Sequence, residues 1–447
     1  MKIIIAGANS IGLYLAKLLI RDKEDIVLIE EDEAKLGNIQ NDLDMMVINA
    51  SPTSIHALKE GGVANADLFV AVNADENVNT TSCIIAKAMG AKKTVARIDN
   101  PEFLTKEVQT LFGKLGVDSL IYPELLAAQE IVTGLKTSWV RQRWDVYEGA
   151  LTMLGIKLRE GCEILNQSLM QLALHNEPFH IVAIKRRDET LIPKGGDELH
   201  LGDIAYFMTT TDNVPYIRKL VGKDGYEDVK NVIIMGGGMT AVRAVKAMPD
   251  NMNVKIIESD EQRCERLNEL IDDDNVLVIH GDGRDLTLLQ EEGIRNTQAF
   301  VALTSSTEAN ILACLTAKRM GVRKTIAMVD NIDYITMAES LDIGTLINKR
   351  TITASHIYQM MLGEDVRNVK FMTTANADVA EFTVQHGAKV TKKLVKDLKL
   401  PMEMTIGGLV RNGEGMLVNG MTQIEEGDRV VVFCHETMIR NMERWFE

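Results

Sequence analysis

The chain has 447 residues, a formal net charge of −15 and 46% apolar residues. That length predicts about two to four domains, and the composition is typical of a soluble globular protein. The acidic balance disfavours nucleic acid and anionic lipid surfaces as partners, because both attract basic proteins. We expect neither a signal peptide nor a membrane-spanning segment, since no apolar run reaches the roughly 20 residues that cross a bilayer. Five scattered cysteines without a Cys-x-x-Cys pair indicate reduced thiols and a cytosolic protein.

Residues 1–140 are predicted to form a first nucleotide-binding domain. The apolar strand Ile3–Ala6 runs into Gly7, a helical pattern follows, and a second apolar strand ends in Glu30. Strands and helices then continue to alternate, which is the pattern of a doubly wound parallel sheet. The predicted fold class is therefore α/β, with a Rossmann-like domain at the amino terminus.

Residues 231–368 are predicted to form a second domain of the same kind. The strand Val232–Met235 runs into a glycine cluster, and the next apolar strand ends in Glu258. At an offset of 231 residues, Gly62–Phe103 aligns with Gly293–Tyr334 without gaps, and about 16 of the 42 positions are identical. Identity of this density over an ungapped window indicates that a whole domain has been duplicated.

Residues 145–222 and 372–447 lose the strand–helix alternation and are predicted to be small α+β domains that repeat each other. Each contains an alternating hairpin and then a Gly-Asp turn, at Gly202-Asp203 and at Gly427-Asp428. The segment Ser138–Trp144 is interpreted as a linker. The predicted organisation is a large domain followed by a small one, twice.

The glycine loops after the two leading strands are the candidate phosphate-binding sites. The second half has the full pattern Gly236-x-Gly238-x-x-Ala241, whereas the first half has Gly7-x-Asn9-x-x-Gly12. The first glycine of this pattern allows a tight turn, and the second lets the backbone approach a pyrophosphate at the helix amino end. Asn tolerates left-handed backbone angles, so we expect the turn to form but the Asn9 side chain to crowd a phosphate.

An acid at the end of the second strand of each unit accepts hydrogen bonds from ribose hydroxyls and repels a 2′-phosphate. Glu30 and Glu258 stand at that position, which favours NAD, NADH or an adenine nucleotide such as ATP or ADP over NADP. A solvated acid at a strand end is the alternative interpretation. Arg97 ends the fifth strand, where a guanidinium could reach phosphates, and the second half has Met328 there.

Two further positions complete the candidate sites. The turn after the third strand carries Gly281 and Asp282 in the second half and Ser51 in the first. The fourth strand is followed by Asn73 or Thr304, for which helix capping alone is an equally good interpretation. The two sites are predicted to be unequal, and no catalytic or metal-binding residue is predicted. The candidate nucleotide-binding residues are Gly7, Ala8, Asn9, Ser10, Ile11, Glu30, Ser51, Asn73 and Arg97, and Gly236, Gly237, Gly238, Met239, Thr240, Glu258, Gly281, Asp282 and Thr304.

At these residues the sequence resembles the TrkA family, the regulatory subunits of Trk potassium-uptake systems with tandem RCK (KTN) domains. The resemblance rests on both glycine loops, on Ala71-Val72-x-x-Asp75-Glu76-x-x-Asn79 and Ala96-Arg97-Ile98, and on the paired Gly-Asp turns. It implies an RCK-N domain followed by an RCK-C domain in each half. It also implies a cytoplasmic homo-oligomer, a dimer or tetrameric ring, held at the inner face of the cell membrane by a TrkH/TrkG-type potassium transporter. NAD(H) and adenine nucleotides gate transport in that family.

The residues are also compatible with two other functions. An NAD-dependent oxidoreductase would need a proton donor beside the nicotinamide. None of the eight histidines aligns between the halves or pairs with another at metal-ligand spacing, so we expect no enzyme activity. A regulator of another potassium channel or of an antiporter is the third possibility.

Overall fold

The computed structural model of the protein describes residues 1–37, 44–175, 177–187, 189–361, 366–372, 377–435 and 439–447. Over these ranges parallel and antiparallel sheets alternate along the chain. The chain packs into two compact units, which are Met1–Leu126 with Lys349–Met361, and Ala127–Asn348 with Leu362–Glu447.

The first large domain alternates strands and helices. Its strands are β1 (Lys2–Ala6), β2 (Asp25–Glu30), β3 (Met46–Asn49), β4 (Leu68–Ala71), β5 (Lys93–Arg97) and β6 (Ser119–Ile121). Its helices are α1 (Ser10–Arg21), α2 (Glu33–Leu36), α3 (Ile55–Glu60), α4 (Glu76–Ala88), α5 (Lys106–Leu115) and α6 (Pro123–Lys136).

These strands form a parallel sheet in the order β3-β2-β1-β4-β5-β6. Ile3, Ile4 and Ile5 of β1 are fully buried, as expected of a strand that is covered on both faces of a parallel sheet. The strand order reverses between β1 and β4, and ligands of open α/β sheets bind at the carboxyl ends of the strands at such a reversal. The Gly7 loop follows β1 at this point.

The small domain that follows is antiparallel. It contains β7 (Gln142–Val146), β8 (Leu151–Lys157), β9 (Phe179–Arg186), β10 (Glu189–Leu191) and β11 (Ile204–Thr209), with α7 (Leu169–Leu174) and α8 (Val214–Leu220). The sheet order is β10-β9-β11-β8-β7. The interpretation of Ser138–Trp144 as a linker is wrong in part, because β7 pairs with β8 from Gln142 onward and belongs to this sheet.

The second large domain repeats the first. Its strands are β12 (Asn231–Met235), β13 (Asn253–Glu258), β14 (Val276–His280), β15 (Ala299–Ala302), β16 (Lys324–Met328) and β17 (Thr345–Ile347), in the order β14-β13-β12-β15-β16-β17. Its helices are α9 (Met239–Ala247), α10 (Glu261–Leu270), α11 (Leu286–Glu291), α12 (Thr307–Arg319), α13 (Ile335–Ser340) and α14 (Lys349–Met361). The last of these, α14, packs against α1 in the first compact unit, where Tyr358 donates a hydrogen bond to Asp22.

The second small domain has the sheet order β18-β19-β22-β20-β21. Its elements are β18 (Val366–Phe371), β19 (Ala377–Thr383), β20 (Met404–Arg411), β21 (Glu414–Leu417), β22 (Arg429–His435) and α15 (Ile439–Phe446). The domain starts before the predicted residue 372, because β18 pairs antiparallel with β19. The prediction of an α/β fold with two Rossmann-like domains, each followed by a small α+β domain, is confirmed.

The two small domains share one apolar core within the second compact unit. Val182 of β9 and Phe433 of β22 meet at Gly407, where an added Cβ would lie 2.9 Å from Val182 Cγ1. All five cysteines fall in the described ranges, and each is buried and free of disulfide bonds. In the described part of the chain, no helix has both the length and the apolar character needed to cross a bilayer.

Both small domains close their Gly-Asp turn with the same ion pair. The guanidinium of Arg186 donates to both carboxylate oxygens of Asp203, at 3.0 and 2.8 Å. Arg411 donates in the same way to Asp428, at 2.8 and 2.7 Å, and Asp428 also accepts from the backbone N–H of Glu425. The Asp428 side chain is 2% exposed. Bidentate pairs of this kind are strong and fix geometry, so they hold the turn against the hairpin strand.

We predict that Asp428→Ala destabilises the second small domain by about 2 kcal/mol, because the partly buried guanidinium fork of Arg411 and the backbone N–H of Glu425 lose a buried acceptor. The matched control is Glu425→Ala. The Glu425 carboxylate also pairs with Arg411, but its side chain is 58% exposed. The loss of stability in this variant should stay below about 1 kcal/mol. Hydrogen–deuterium exchange of β20 and β22 peptides measures both effects locally, and equal protection in the two variants would contradict the prediction.

Candidate functional site

The first glycine of each loop has a positive φ angle, which side-chain-bearing residues rarely adopt. Gly7 has φ +115° and Gly236 has φ +100°. An added Cβ would lie 3.0 Å from the backbone nitrogen of Asn73 in the first case and of Thr304 in the second. Both loops therefore press against the residue that follows the fourth strand, and any larger residue would displace them.

The middle position of each loop is extended in both halves. Asn9 has φ −79° and ψ −179°, and Gly238 has φ −70° and ψ 173°. Any residue adopts these angles, so the prediction that Asn9 is tolerated through a left-handed backbone is wrong. What distinguishes the halves here is the side chain.

The Asn9 side chain caps α1. Its Oδ1 accepts hydrogen bonds from the backbone N–H groups of Ile11 and Gly12, both at 3.0 Å, and its Nδ2 donates to the carbonyl of Val72. The capped amides include those that would face a phosphate at a helix amino end. Ser10, the first residue of α1, is exposed beside them. Asn9 would therefore hinder a phosphate because its Oδ1 already occupies the N–H groups that the phosphate would use.

The amino end of α9 is different. In the described structure no side chain caps it at Gly238, and an added Cβ there would meet no atom within 4 Å. Met239 at the first position is 39% exposed, and Thr240 is buried below it. The first-turn N–H groups of α9 therefore face a space that an anion can enter.

The two predicted acids hold their loops by the same contacts. Glu30 Oε2 accepts from the N–H of Ala8 at 2.7 Å, and Glu258 Oε2 accepts from the N–H of Gly237 at 2.8 Å. The Oε1 atoms of these two glutamates accept hydrogen bonds from the backbone N–H groups of Asp32 and Asp260, both at 3.0 Å. Both carboxylates are buried, so the interpretation of a solvated strand-end acid does not hold.

Hydrogen bonding decides the charge of Glu258. Burial raises its pKa, but the backbone N–H groups of Gly237 and Asp260 and the guanidinium of Arg263 bring the net pKa below the usual value. The residue therefore remains a carboxylate at neutral pH, which is the form that accepts from ribose hydroxyls.

The turn after the third strand lies against the same acid-bearing strand in each half. Gly281 donates its N–H to the carbonyl of Glu258 at 2.8 Å, and Ala50 does the same to Glu30 at 3.1 Å. The Asp282 carboxylate is engaged by the Arg284 guanidinium at 2.7 Å, and Ser51 Oγ contacts Thr53 Oγ1 at 3.0 Å. Both side chains are thus bound within their own turns.

Sequence reasoning missed one pair of positioning residues. Asn79 Oδ1 accepts from the N–H of Asn73 at 2.8 Å, and its Nδ2 donates to the carbonyls of Asn73 and Arg97. Asn310 makes the equivalent contacts to Thr304 and to the carbonyl of Met328. Both amides are fully buried and join the ends of two strands below the glycine loop. Their identity at the 231-residue offset was the available signal.

Arg97 is held by the loop after β4. Its Nη1 donates to the carbonyl of Asn73 at 3.0 Å, and its Nη2 pairs with Asp99 at 2.6 Å. The side chain is 16% exposed. Within each half the structure thus links the glycine loop, the acid and the fourth-strand residue, with Arg97 attached to this group in the first half.

We predict that Glu258→Gln destabilises the second large domain by about 1–3 kcal/mol at pH 7, because a Gln oxygen replaces one acceptor and its NH₂ meets a backbone donor. The lowered pKa of Glu258 means that this stabilisation is present above the unfolded value near 4.3 and is lost as pH falls through the folded value. The gap between wild type and variant should therefore shrink below about pH 4.

Thermal unfolding at pH 7 and at pH 3.5 measures this gap. Glu261→Gln, an exposed acid in the first turn of α10, is the matched control and should match wild type at both pH values. A gap that stays constant with pH would show that the charge of Glu258 is not responsible.

The chain matches two domain families, each twice. Residues 3–123 and 232–349 match the TrkA-N domain, and residues 153–222 and 379–447 match the TrkA-C domain. A Trk system potassium uptake protein TrkA homolog of Archaeoglobus fulgidus is 30% identical over 450 residues, with 100% of both chains covered. The Trk system potassium uptake protein TrkA of Haemophilus influenzae is 30% identical over 445 residues, which cover 98% of this chain and 96% of its own.

Solved structures show the same architecture. The GsuK RCK domain superposes with a TM-score of 0.61 at 15% identity, covering 99% of this chain and 94% of its own. The GsuK channel bound to NAD superposes with a TM-score of 0.60 at 14% identity, covering 99% of this chain and 78% of its own. At such identity the likeness concerns the fold alone. The two TrkA-N and two TrkA-C matches, together with relatives aligned along the full chain, establish that this protein belongs to the TrkA family of Trk potassium uptake proteins.

Proposed function

We propose that this chain is the cytoplasmic regulatory subunit of a Trk-type potassium uptake system. In this proposal it binds NAD(H) or an adenine nucleotide, forms a homo-oligomeric ring and gates a membrane potassium transporter of the TrkH/TrkG type. Family membership supports the link to potassium uptake. The observation that carries the nucleotide part is the α9 amino end, which no side chain of the described structure caps, beside the buried carboxylate of Glu258.

In the second half, separate groups would contact the pyrophosphate and a ribose of a dinucleotide. The loop Gly236–Gly238 and the first turn of α9 would hold a pyrophosphate. Glu258 would accept from ribose hydroxyls with the oxygen lone pairs that its backbone donors leave available. Solved GsuK structures include forms bound to NAD and to ADP, which supports the same ligand class here.

The first half would bind more weakly. An anion there would have to displace Asn9 from the Ile11 and Gly12 amides before it could use them. Ligand binding can shift an assembly between two shapes only through a difference in affinity for them. If the second half binds strongly and the first weakly, nucleotide binding in the second half would mainly determine the shape of the ring.

We further propose that the chain is not an enzyme. His280 ends β14 beside Glu258, and its Nε2 lies 3.1 Å from the carbonyl of Ser259. In a Rossmann-type site the carboxyl end of this strand would lie near the adenosine, so we expect His280 to be away from a nicotinamide. Incubation of the protein with NADH and candidate oxo-acids is the test, and sustained NADH consumption would replace the regulator by an oxidoreductase.

We predict that Gly238→Asp weakens NADH and ATP binding by about tenfold or more, because the new carboxylate both caps α9 and repels the phosphates. Asn9→Asp should change the total binding little, since α1 is already capped there. Gly238→Asn introduces the first-half cap without a charge and separates the two effects. Isothermal titration of the full chain with each nucleotide measures the affinities.

The control is the thermal stability of the two Gly238 variants, which should match wild type because Gly238 has open space at its Cβ position. Equal losses from Gly238→Asp and Asn9→Asp would refute the asymmetry between the halves.

The partner is tested separately. Affinity capture from solubilised membranes with the full chain should recover a potassium transporter of the TrkH/TrkG type. Recovery of a different channel or an antiporter would redirect the proposal to that protein class.

A further inference from the structure

A basic cavity of about 300 Å³ lies inside the second compact unit. It is bounded by the first small domain near residues 138–159 and by the second large domain near residues 318–345. Among the described residues that line it, seven are Lys or Arg and none is Asp or Glu. The whole chain carries a net charge of −15, so this concentration of positive charge runs against the composition.

A single carboxylate at the cavity edge holds four of these cations. Asp342 contacts Lys157 and Lys318 at 3.0 Å each, Arg159 at 2.5 Å, and Arg141. Burial raises the pKa of Asp342, but Arg141 and the other cations hold it well below the usual range. Glu339, which pairs with Lys185, adds a second negative charge near Arg141, so two carboxylates face five cations and the cluster retains a positive excess.

Lys324 adds a buried amine to the lining of this cavity. Its side chain is buried, and its ammonium donates to the carbonyl of Val140 at 2.8 Å and to Thr345 Oγ1 at 3.1 Å. Burial and the neighbouring Arg141 lower the pKa of Lys324 to about 7. No carboxylate in the described ranges forms a salt bridge with it. The amine is therefore partly protonated at neutral pH, and a bound anion would favour its charged form.

Tyr226 and two further cations also line the cavity. Lys223 Nζ lies 4.7 Å from the centre of the Tyr226 ring, and the Arg323 guanidinium carbon lies 5.3 Å from it. Positive charge thus lines the cavity at Lys223 and Arg323 as well as around Asp342. The guanidinium groups of Arg141, Arg159 and Arg323 offer paired donors that match phosphate oxygens.

We propose that this cavity is a binding site for a compact, multiply charged phosphorylated anion of about the size of pyrophosphate, separate from the glycine-loop nucleotide site. The volume lies at the lower end of the range for small-ligand sites, which suits such a ligand better than a dinucleotide. Because the lining comes from both the first small domain and the second large domain, bound anion would strengthen the contact between them.

The probe is inorganic pyrophosphate, titrated calorimetrically at low ionic strength into the full chain carrying Gly238→Asp. That background weakens the competing contribution of the α9 loop. We expect binding of one pyrophosphate per chain that weakens with added salt. Lys324→Met and Arg159→Gln should each weaken it roughly tenfold, because each removes a cation in contact with the cavity. The matched control is Lys255→Met, which breaks the ion pair with Glu292 at 2.9 Å elsewhere in the same unit and should leave the affinity unchanged.

Thermal unfolding shows whether each variant is folded. The Arg159 side chain is 44% exposed, so Arg159→Gln should remain folded and keeps the test valid if Lys324→Met does not. The proposal is overturned if the parent protein does not bind pyrophosphate, or if the folded cavity variants bind it as tightly as the parent. It is also overturned if Lys255→Met weakens binding as much as they do.

Discussion

The N–H groups in the first turn of a helix need acceptors, and this requirement separates the two halves of the protein. In the first half the side chain of Asn9 supplies the acceptor for α1. In the second half Gly238 has no side chain, so the equivalent N–H groups of α9 face solvent or a ligand. A single Asn-to-Gly difference therefore decides which half presents donors to a phosphate, although both loops have nearly the same backbone angles.

The hydrogen bonds that hold the two glycine loops are otherwise equivalent in the two halves. Each buried glutamate accepts from its glycine loop, and each buried asparagine, Asn79 or Asn310, joins the ends of the fourth and fifth strands. These contacts are structural requirements of the loop, which explains why duplication kept them. Two of the candidate site positions, Asn9 with Gly238 and Arg97 with Met328, diverged between the halves, and both would contact a ligand.

The two small domains also keep some contacts in common, while one contact is particular to the first of them. Both keep the Arg–Asp pair that closes the Gly-Asp turn, and both contribute to one apolar core. The first of them also meets the second large domain through the positive cluster around Asp342. A contact with excess charge is sensitive to anions and salt in a way that an apolar contact is not. The second compact unit therefore combines an apolar junction with an ionic one.

The sequence by itself determined the fold class, the duplication, the glycine turns and the register of Glu30 and Glu258. These depend on periodicity and on neighbours close in the chain. The tertiary structure alone decided that Asn9 caps α1 at an extended backbone, that Asn79 and Asn310 join two strands, and that β7 and β18 belong to the small-domain sheets. It also decided that cations from residues 141–159 and 318–324 meet at Asp342. In each of these cases the choice of hydrogen-bond or ionic partner is made between residues far apart in sequence, or by competition among several nearby donors. A linear pattern does not encode that choice.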